Sequence, residues 1–138
     1  MAASVEFEDE NGQVVRYLRH ANGGGLVSPL ARVHESAMVA STAYVEAGAQ
    51  VGDRSRIGAG SWLEHDVIVG EDAVVAGNVR VGPRTRVEDE TWIGTGARVG
   101  SDVVIGRGAR VEPDAVIRDA TVVRRRAGSG RSEFGIAA

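Results

Sequence analysis

Aliphatic residues recur every six positions from Val27 to Val123 without one insertion. Every such position holds Val, Ile or Leu: Val27, Val33, Val39, Val45, Val51, Ile57, Leu63, Val69, Val75, Val81, Val87, Ile93, Val99, Ile105, Val111, Ile117 and Val123. A second column, four residues further on, holds only Ala, Ser, Thr or Val, from Ala31 to Ala127. A period of six does not fit a helix, whereas it is a multiple of the two-residue strand period. The pattern therefore predicts a short strand and a corner in each hexad, with both columns pointing inward.

Glycine often follows the aliphatic residue, and we expect it to serve corners that need unusual backbone angles. These glycines are Gly52, Gly58, Gly70, Gly82, Gly94, Gly100 and Gly106. The pattern aliphatic–Gly–x–x–small–x resembles the hexapeptide repeat of left-handed parallel β-helices, the bacterial transferase hexapeptide superfamily. The resemblance implies an all-β, left-handed triangular solenoid over residues 27–127. Its coils would hold about 18 residues each, which gives about five to six coils.

A parallel solenoid needs a cap, because the strands at its ends are unpaired. Residues 5–7 and 14–18 have the alternation of two strands, and Asn11-Gly12 between them is a strong hairpin signal. We therefore predict an N-terminal β-hairpin cap within residues 1–26.

The remaining segments have compositions typical of connections. Residues 20–25, with three consecutive glycines, are predicted to form a flexible joint between the hairpin and the solenoid that starts at residue 27. Residues 128–138, rich in Gly and Ser, are predicted to form a flexible tail.

Composition excludes several functions. The net charge is −3 with acids and bases interleaved, which argues against nucleic-acid binding. The sequence contains neither Lys nor Cys, so Schiff-base chemistry, thiolate nucleophiles and Cys-type zinc sites are absent. No apolar run is long enough to span a bilayer or to form a signal peptide, and we expect a cytoplasmic protein without membrane contact.

The chain contains three histidines that could act as a general base. Acyltransferases of the family that the hexads resemble use acetyl- or acyl-CoA and a catalytic His that deprotonates the acceptor. His65 is the best candidate, because Glu64 and Asp66 flank it and could hold its tautomer. His34 is the second candidate, and His20 lies in the predicted joint.

The sequence nevertheless favours a non-catalytic scaffold or binding module without a cofactor. The hexads contain no inserted loop, which enzymes of the resembled family commonly use to wall the active site. Three scattered His residues do not form a zinc site of the kind found in the carbonic anhydrases of this fold. The alternative is a small trimeric CoA-dependent acyltransferase, with CoA or acetyl-CoA between subunits and His65 or His34 as base.

The residues that precede each inward aliphatic point outward and include apolar side chains. Apolar residues on an exposed face often mark an interface, so we expect a homo-oligomer, a dimer or a trimer, that associates through one flat face. The candidate interface or binding residues are Tyr44, Trp62, Arg80, Ile68, Val104 and Trp92. Two alternatives are a carbohydrate or aromatic ligand on Tyr44 and Trp62, and stacking of Arg over Trp within one subunit.

Overall fold

The computed structural model describes residues 4–126, which form 19 β-strands and no helix. Two longer strands come first, β1 (Ser4–Glu8) and β2 (Val14–Arg19). Seventeen two-residue strands follow: β3 Leu26–Val27, β4 Arg32–Val33, β5 Met38–Val39, β6 Tyr44–Val45, β7 Gln50–Val51, β8 Arg56–Ile57, β9 Trp62–Leu63, β10 Ile68–Val69, β11 Val74–Val75, β12 Arg80–Val81, β13 Arg86–Val87, β14 Trp92–Ile93, β15 Arg98–Val99, β16 Val104–Ile105, β17 Arg110–Val111, β18 Val116–Ile117 and β19 Val122–Val123. The predicted tail, residues 128–138, lies outside the described residues.

The strands stack into three parallel sheets that form the faces of a prism. The first face has the order β1-β2-β3-β6-β9-β12-β15-β18, the second β4-β7-β10-β13-β16-β19, and the third β5-β8-β11-β14-β17. Residues 18 apart are paired throughout, as Tyr44 is with Trp62. Three hexads therefore make one coil, and the predicted all-β solenoid and its register are confirmed.

Corners connect the faces, and each is a column of three-residue turns. The first corner joins the first face to the second and comprises residues 28–30, 46–48, 64–66, 82–84, 100–102 and 118–120. The second corner joins the second face to the third and comprises residues 34–36, 52–54, 70–72, 88–90, 106–108 and 124–126. The third corner comprises residues 40–42, 58–60, 76–78, 94–96 and 112–114.

The two inward columns form one continuous core. Val69 and Val87, in adjacent coils of the second face, are 2% and 1% exposed. Burial of an aliphatic side chain of this size stabilises the fold by roughly 1.5–3 kcal/mol. Because large side chains alternate with Ala, Ser, Thr or Val, the narrow interior is filled without large aromatics.

Hydroxyl side chains in the inner column are satisfied by neighbouring coils. The Ser55 hydroxyl donates to the Gly70 carbonyl at 2.6 Å and accepts the Ala73 amide at 3.0 Å. Ser61 makes the same pair of contacts one hexad later. A buried hydroxyl without partners would destabilise the fold, so these bonds explain why Ser replaces Ala there.

Glycine serves the corners in a way that differs from the expectation. Positive φ occurs at the third corner residue, which is Gly48 in one coil and Asp66 in the next. Gly52, by contrast, follows an inward valine and has no positive φ, but a Cβ there would lie 2.6 Å from the Gly70 carbonyl oxygen. Except at Gly106, where a Cβ would lie 3.3 Å from the Val123 oxygen, the glycines after the aliphatic residues are thus required by the close approach of successive coils and not by the backbone angle.

The predicted hairpin cap is present and extends the first face. Strand β1 pairs antiparallel with β2, and β2 pairs antiparallel with β3, the first strand of the solenoid. The loop is longer than a two-residue turn: Asp9 donates its amide to Gln13, and its carboxylate accepts the Asn11 and Gln13 amides at 2.9 Å. Gly12 adopts the positive φ that this loop needs.

The glycine-rich segment at residues 20–25 is a hydrogen-bonded turn and not the flexible joint predicted from its composition. Gly25 donates to the Val39 carbonyl at 2.9 Å, and Val39 donates to Asn22 at 3.0 Å. A Cβ on Gly23 would lie 2.2 Å from the Val39 oxygen. The glycines therefore allow this segment to pack directly against the first coil.

Candidate functional site

His65 lies at the first corner, in the second of its three positions, and its side chain is exposed. Its backbone is held by the coil above, because the His65 carbonyl accepts the Arg84 amide at 3.0 Å. Within residues 4–126 no side chain forms a hydrogen bond with its imidazole ring. The structure thus presents an imidazole with a fixed backbone and two unoccupied ring nitrogens.

The carboxylates beside His65 are engaged elsewhere. Glu64 accepts a hydrogen bond from Arg80 Nε at 2.7 Å, and Arg80 belongs to the coil above. The Asp66 carboxylate lies over Gly48 in the coil below, where a Cβ would be 2.0 Å from Asp66 Oδ1. Within the described residues, neither Glu64 nor Asp66 forms the hydrogen bond with the His65 ring that would hold its tautomer.

His34 lies at the second corner and is held by its surroundings. Its Nδ1 lies 2.8 Å from the Ser36 hydroxyl, which also donates to Asp53. Asp53 Oδ1 is 3.6 Å from the same nitrogen. The hydrogen bond from Ser36, together with Arg54, holds the pKa of the Asp53 carboxyl below its usual value. His34 thus has Nδ1 in a polar cluster, and within residues 4–126 its Nε2 has no hydrogen-bond partner.

His20 has a structural role that the sequence did not indicate. Its Nε2 lies 2.7 Å from the Ala37 carbonyl of the first coil, beneath the solenoid. The contact belongs to the hydrogen-bonded turn that closes this end. His20 Nε2 is therefore engaged in a structural hydrogen bond between the cap and the first coil, and His20 is not placed for proton transfer.

Two shallow depressions on the faces are large enough for part of a ligand. One, of about 570 Å³, lies on the second face beside His34 and is lined by Arg32, Gln50 and Ile68. The other, of about 530 Å³, lies at the upper end of the first face. Its lining residues are Arg98, Val99, Gly100, Val116, Ile117, Arg118 and Asp119. The second depression combines two exposed guanidinium groups with an apolar floor.

Aromatic side chains on the lower half of the first face are fixed by the hairpin. Tyr17, from β2, packs edge-to-face against Tyr44, with ring centroids 5.4 Å apart, and its hydroxyl donates to Glu46 at 2.8 Å. Glu46 is 7% exposed and also accepts the Trp62 indole N–H at 2.7 Å. Burial and the hydrogen bond to the carboxylate raise the pKa of Tyr17. Of the two aromatics predicted to bind a ligand, Tyr44 is half-buried beside Tyr17, whereas Trp62 is 39% exposed.

Sequence reasoning missed Glu46 and Tyr17. Glu46 occupies a corner position next to an inward valine, where an outward solvated carboxylate is the ordinary expectation. The return of β2 along the first face brings the Tyr17 hydroxyl over it, and the next coil brings the Trp62 indole. The one available signal was the Tyr in the otherwise weakly apolar strand β2, which is buried in the structure.

Arginine stacks over both tryptophans, as the sequence had suggested. The Arg80 guanidinium lies 4.7 Å from the Trp62 ring centroid, and Arg110 lies 4.0 Å from that of Trp92 on the third face. On the second face Ile68 and Val104 are half-buried at outward positions. The predicted outward columns are therefore correct, while their role as an interface stays a prediction.

Metal and membrane signals are lacking in the described part of the chain. Residues 4–126 contain no group of three or more His, Cys, Asp or Glu side chains arranged to hold a metal ion. The same residues contain no helix of the length and apolarity that a bilayer crossing requires.

Comparison with known proteins supports the repeat and the fold. Residues 84–119 match the family profile described as bacterial transferase hexapeptide (six repeats), which confirms the resemblance of the hexads. No curated protein sequence matches the chain significantly. Similar solved structures are those of left-handed β-helix transferases, and the predicted left-handed parallel β-helix is confirmed.

Three solved structures illustrate this similarity. PerB from Caulobacter crescentus, in complex with CoA and GDP-perosamine, is 21% identical with a TM-score of 0.71, over 79% of this chain and 53% of that one. The acetyltransferase domain of PglB from Neisseria gonorrhoeae is 22% identical with a TM-score of 0.70, over 80% and 54%. The same domain with acetyl coenzyme A gives 24% and 0.54, over 72% and 53%. The chain thus spans about half the length of these proteins.

Proposed function

We propose that this chain, built on the bacterial transferase hexapeptide repeat, is a CoA-dependent acyltransferase that works as a homo-oligomer, with His65 as the general base. The observation that carries the proposal is the exposed, unengaged imidazole of His65 on a corner whose backbone is fixed by the next coil. A general base needs a ring nitrogen within hydrogen-bond reach of the acceptor, and neither nitrogen of His65 is occupied by residues 4–126.

The comparisons support this function more than the non-catalytic scaffold that the sequence favoured. PerB was solved with CoA and GDP-perosamine, and the PglB domain with acetyl coenzyme A. Their similarity to this chain lies in the fold, so the activity stays a proposal. The proposal also replaces the expectation of no cofactor with acyl-CoA as the acyl donor.

The first face offers groups that suit CoA. Arg98 and Arg118 line the upper depression, and both guanidinium groups are exposed, as binding of a diphosphate requires. Val116, 72% exposed, and Ile117 provide apolar contact for the pantetheine arm. His65 lies three coils below Asp119 in the same corner column, which corresponds to about 14 Å at the strand spacing of a sheet. When bound, acyl-CoA would supply the thioester carbonyl that the acceptor attacks.

His65 would take the proton from an acceptor amine or hydroxyl as that atom attacks the thioester carbonyl. The carbon–sulfur bond would then break, and the leaving CoA thiolate would take up the proton from His65. Neutral imidazole is the competent form, and a corner position lets the acceptor approach from solvent. A wall is still needed to position the thioester, and the prism alone presents open faces. A second subunit against the first corner would complete the site, and we therefore include a trimer in the proposal.

One experiment separates the candidate bases. Thiol release from acetyl-CoA is followed with amine and amino-sugar acceptors for the wild type, His65→Ala and His34→Ala. We expect His65→Ala to lower kcat roughly 100-fold or more, the usual contribution of a general base. The melting temperature should not change, because the ring is exposed and unbonded.

His34→Ala is the matched control. It removes an exposed histidine from the second corner, and we expect kcat to stay within about twofold. The opposite ranking would assign the base to His34, whose Nδ1 is held by Ser36 and whose Nε2 has no partner in the part of the chain that the structure describes. Equal and small effects of both variants would contradict the proposal.

A non-catalytic scaffold remains the second candidate because one observation favours it. The two-residue strands follow each other every six residues from Leu26 to Val123, so no inserted loop walls any corner. A ligand that binds only the folded state raises the melting temperature. If the protein is an acyltransferase, we expect acetyl-CoA to raise its melting temperature. An unchanged melting temperature, together with a monomer in size-exclusion light scattering, would support the scaffold.

A further inference from the structure

The first face is one sheet that ends in two unpaired edge strands. Within residues 4–126 it begins at β1, in the hairpin, and ends at β18, in the last coil. In the coil below β18, the Arg98 amide donates to the Ala115 carbonyl at 2.8 Å. The equivalent amide of β18, that of Val116, has no acceptor in the described part of the chain. The upper edge therefore offers a backbone donor to a further strand.

The two edge strands run in the same direction. Strand β1 is antiparallel to β2, β2 is antiparallel to β3, and every later pair of this face is parallel. A second copy displaced along the prism axis, without inversion, would place its β1 beside β18 as one more parallel strand. The axial repeat of such a stack would be about 38 Å, since the sheet has eight strands.

Both edges carry exposed apolar side chains on the outer side of the sheet. Phe7 of β1 packs edge-to-face on Tyr17, which in turn contacts Tyr44 on the outer side of the first face. Phe7 is 43% exposed and Val116 of β18 is 72% exposed. Val116 points outward, because its neighbour Ile117 belongs to the inward column. In a continuous sheet, Phe7 of one copy and Val116 of the next would therefore lie on one surface and cover each other.

The two edges carry opposite charges. Strand β1 and the loop after it contain four charged residues, all acidic: Glu6, Glu8, Asp9 and Glu10. Residues 116–126 contain one carboxylate, that of Asp119, and four exposed arginines that form no ion pair within the described residues: Arg118, Arg124, Arg125 and Arg126. Like charges opposite each other destabilise paired strands, so the glutamates disfavour pairing of β1 with a second β1. A basic, parallel edge is the partner that β1 fits.

We propose that β18 of one copy pairs with β1 of a second copy, so that the protein forms open head-to-tail assemblies. The contact is heterologous, and a displacement along the axis leaves one free edge at each end, so growth does not close. The inference goes beyond the proposed function. Val116 and Arg118 also line the depression assigned to CoA, so CoA and a second copy would compete for the upper edge. Assembly is therefore measured without CoA, and its outcome does not depend on acyl transfer.

The mass of the assembly as a function of protein concentration tests the proposal. Light scattering is measured at low ionic strength, because exposed charges are screened beyond about 10 Å at 0.1 M salt. We expect the weight-average mass to rise at least about threefold over about a hundredfold range of concentration, without a plateau. A mass that stays at that of a monomer or a closed trimer over this range would overturn the proposal.

Charge reversal identifies the two edges. Glu6→Arg combined with Glu8→Arg alters the acidic edge, and Arg118→Glu combined with Arg124→Glu alters the basic edge. Each pair should abolish growth, because like charges then meet at the contact. A protein with all four changes should regain it, because opposite charges meet again. Growth that survives either pair, or that the fourfold variant does not regain, would overturn the pairing of these edges.

A control separates the contact from net charge. Arg56→Glu combined with Arg86→Glu gives the same net charge as the basic-edge variant, but these exposed residues lie on the third and second faces, away from both edges. Growth should persist, and circular dichroism melting checks that every variant is folded. Loss of growth in this folded control would contradict the contact.

Truncation after Arg126 tests the other possible occupant of the upper edge, the chain's own residues 127–138. We expect the full chain and the truncated chain to grow alike. Growth that appears only after truncation would assign the upper edge to those residues and overturn the proposal.

Discussion

The interior columns and the corner columns share one period but tolerate different residues. Inside, each hexad repeats the same choice, and Val69 and Val87 stack with almost no exposure. At the corners, the same position holds Gly48 in one coil, Asp66 in the next and Arg84 in the one after, all with positive φ. The interior is thus constrained by volume and polarity, whereas the third residue of a corner is constrained by its backbone angle and accepts many side chains. Corners are therefore where a regular solenoid can carry chemistry.

Aspartate substitutions on the inward and outward sides of one strand should differ most in their effect on thermal stability. Val69→Asp places an unpaired carboxylate in the core, which costs several kcal/mol, and the protein should lose its cooperative thermal transition. Ile68→Asp, the adjacent outward residue, should leave the transition in place within a few degrees. Circular dichroism melting of both variants measures the contrast. A soluble Val69→Asp protein with an unchanged melting temperature would contradict the inward register.

A methyl group at a close contact between coils should have the next largest effect. In Gly52→Ala the new Cβ meets the Gly70 backbone at 2.6 Å, and the coils must separate. We expect the free energy of unfolding to fall by about 2–3 kcal/mol. Gly77→Ala is the control, because its Cβ would lie 3.2 Å from the Ala59 oxygen and can be accommodated with a small shift. Equal urea midpoints for the two variants would show that close approach does not explain these glycines.

The hairpin contact at Glu46 should contribute less than the coil contact. Tyr17→Phe removes one of the donors to a buried carboxylate, and we expect the free energy of unfolding to fall by about 1–2 kcal/mol. Tyr44→Phe removes a hydroxyl that has no hydrogen bond within residues 4–126, so it serves as the matched control. Urea unfolding compares the two. A smaller loss for Tyr17→Phe than for Tyr44→Phe would exclude Glu46 as the anchor of the hairpin.

Exposed ion pairs at the corners should give the smallest effect. The hydrogen bonds from Arg54 to Asp72 and from Arg84 to Asp102 lower the pKa of each aspartate. An aspartate whose pKa is lowered in the folded state stabilises the protein at pH values above its pKa in the unfolded state, which is about 3.9. This stabilisation is lost as the pH falls through the pKa of the folded state. Asp102→Asn should therefore lower the melting temperature at neutral pH and leave it nearly unchanged at a pH of about 3. The effect should be about one degree, because Arg84 and Asp102 are both exposed. A larger loss of melting temperature in acid than at neutral pH would contradict this sign.

The fold was predictable because its physics is local and repeated. An unbroken six-residue period fixed the inward columns, and stacking of three hexads followed from the resemblance of the pattern. The site was less predictable. His65 was identified as an exposed corner residue, but the partners of Glu64 and Asp66 come from adjacent coils. Adjacent residues in a corner diverge, so flanking carboxylates in the sequence did not become neighbours of the ring.

The sequence by itself determined which residues face inward and the outward position of both tryptophans, since alternation in strands settles these from spacing alone. The register between coils followed from the resemblance of the hexads. The tertiary structure alone decided that Tyr17 returns over the first face, that Glu46 is buried beneath it, and that residues 20–25 pack tightly against the first coil. These contacts join segments whose separation in the chain carries no period. They depend on where β2 pairs with the solenoid, and only the folded geometry brings those groups together.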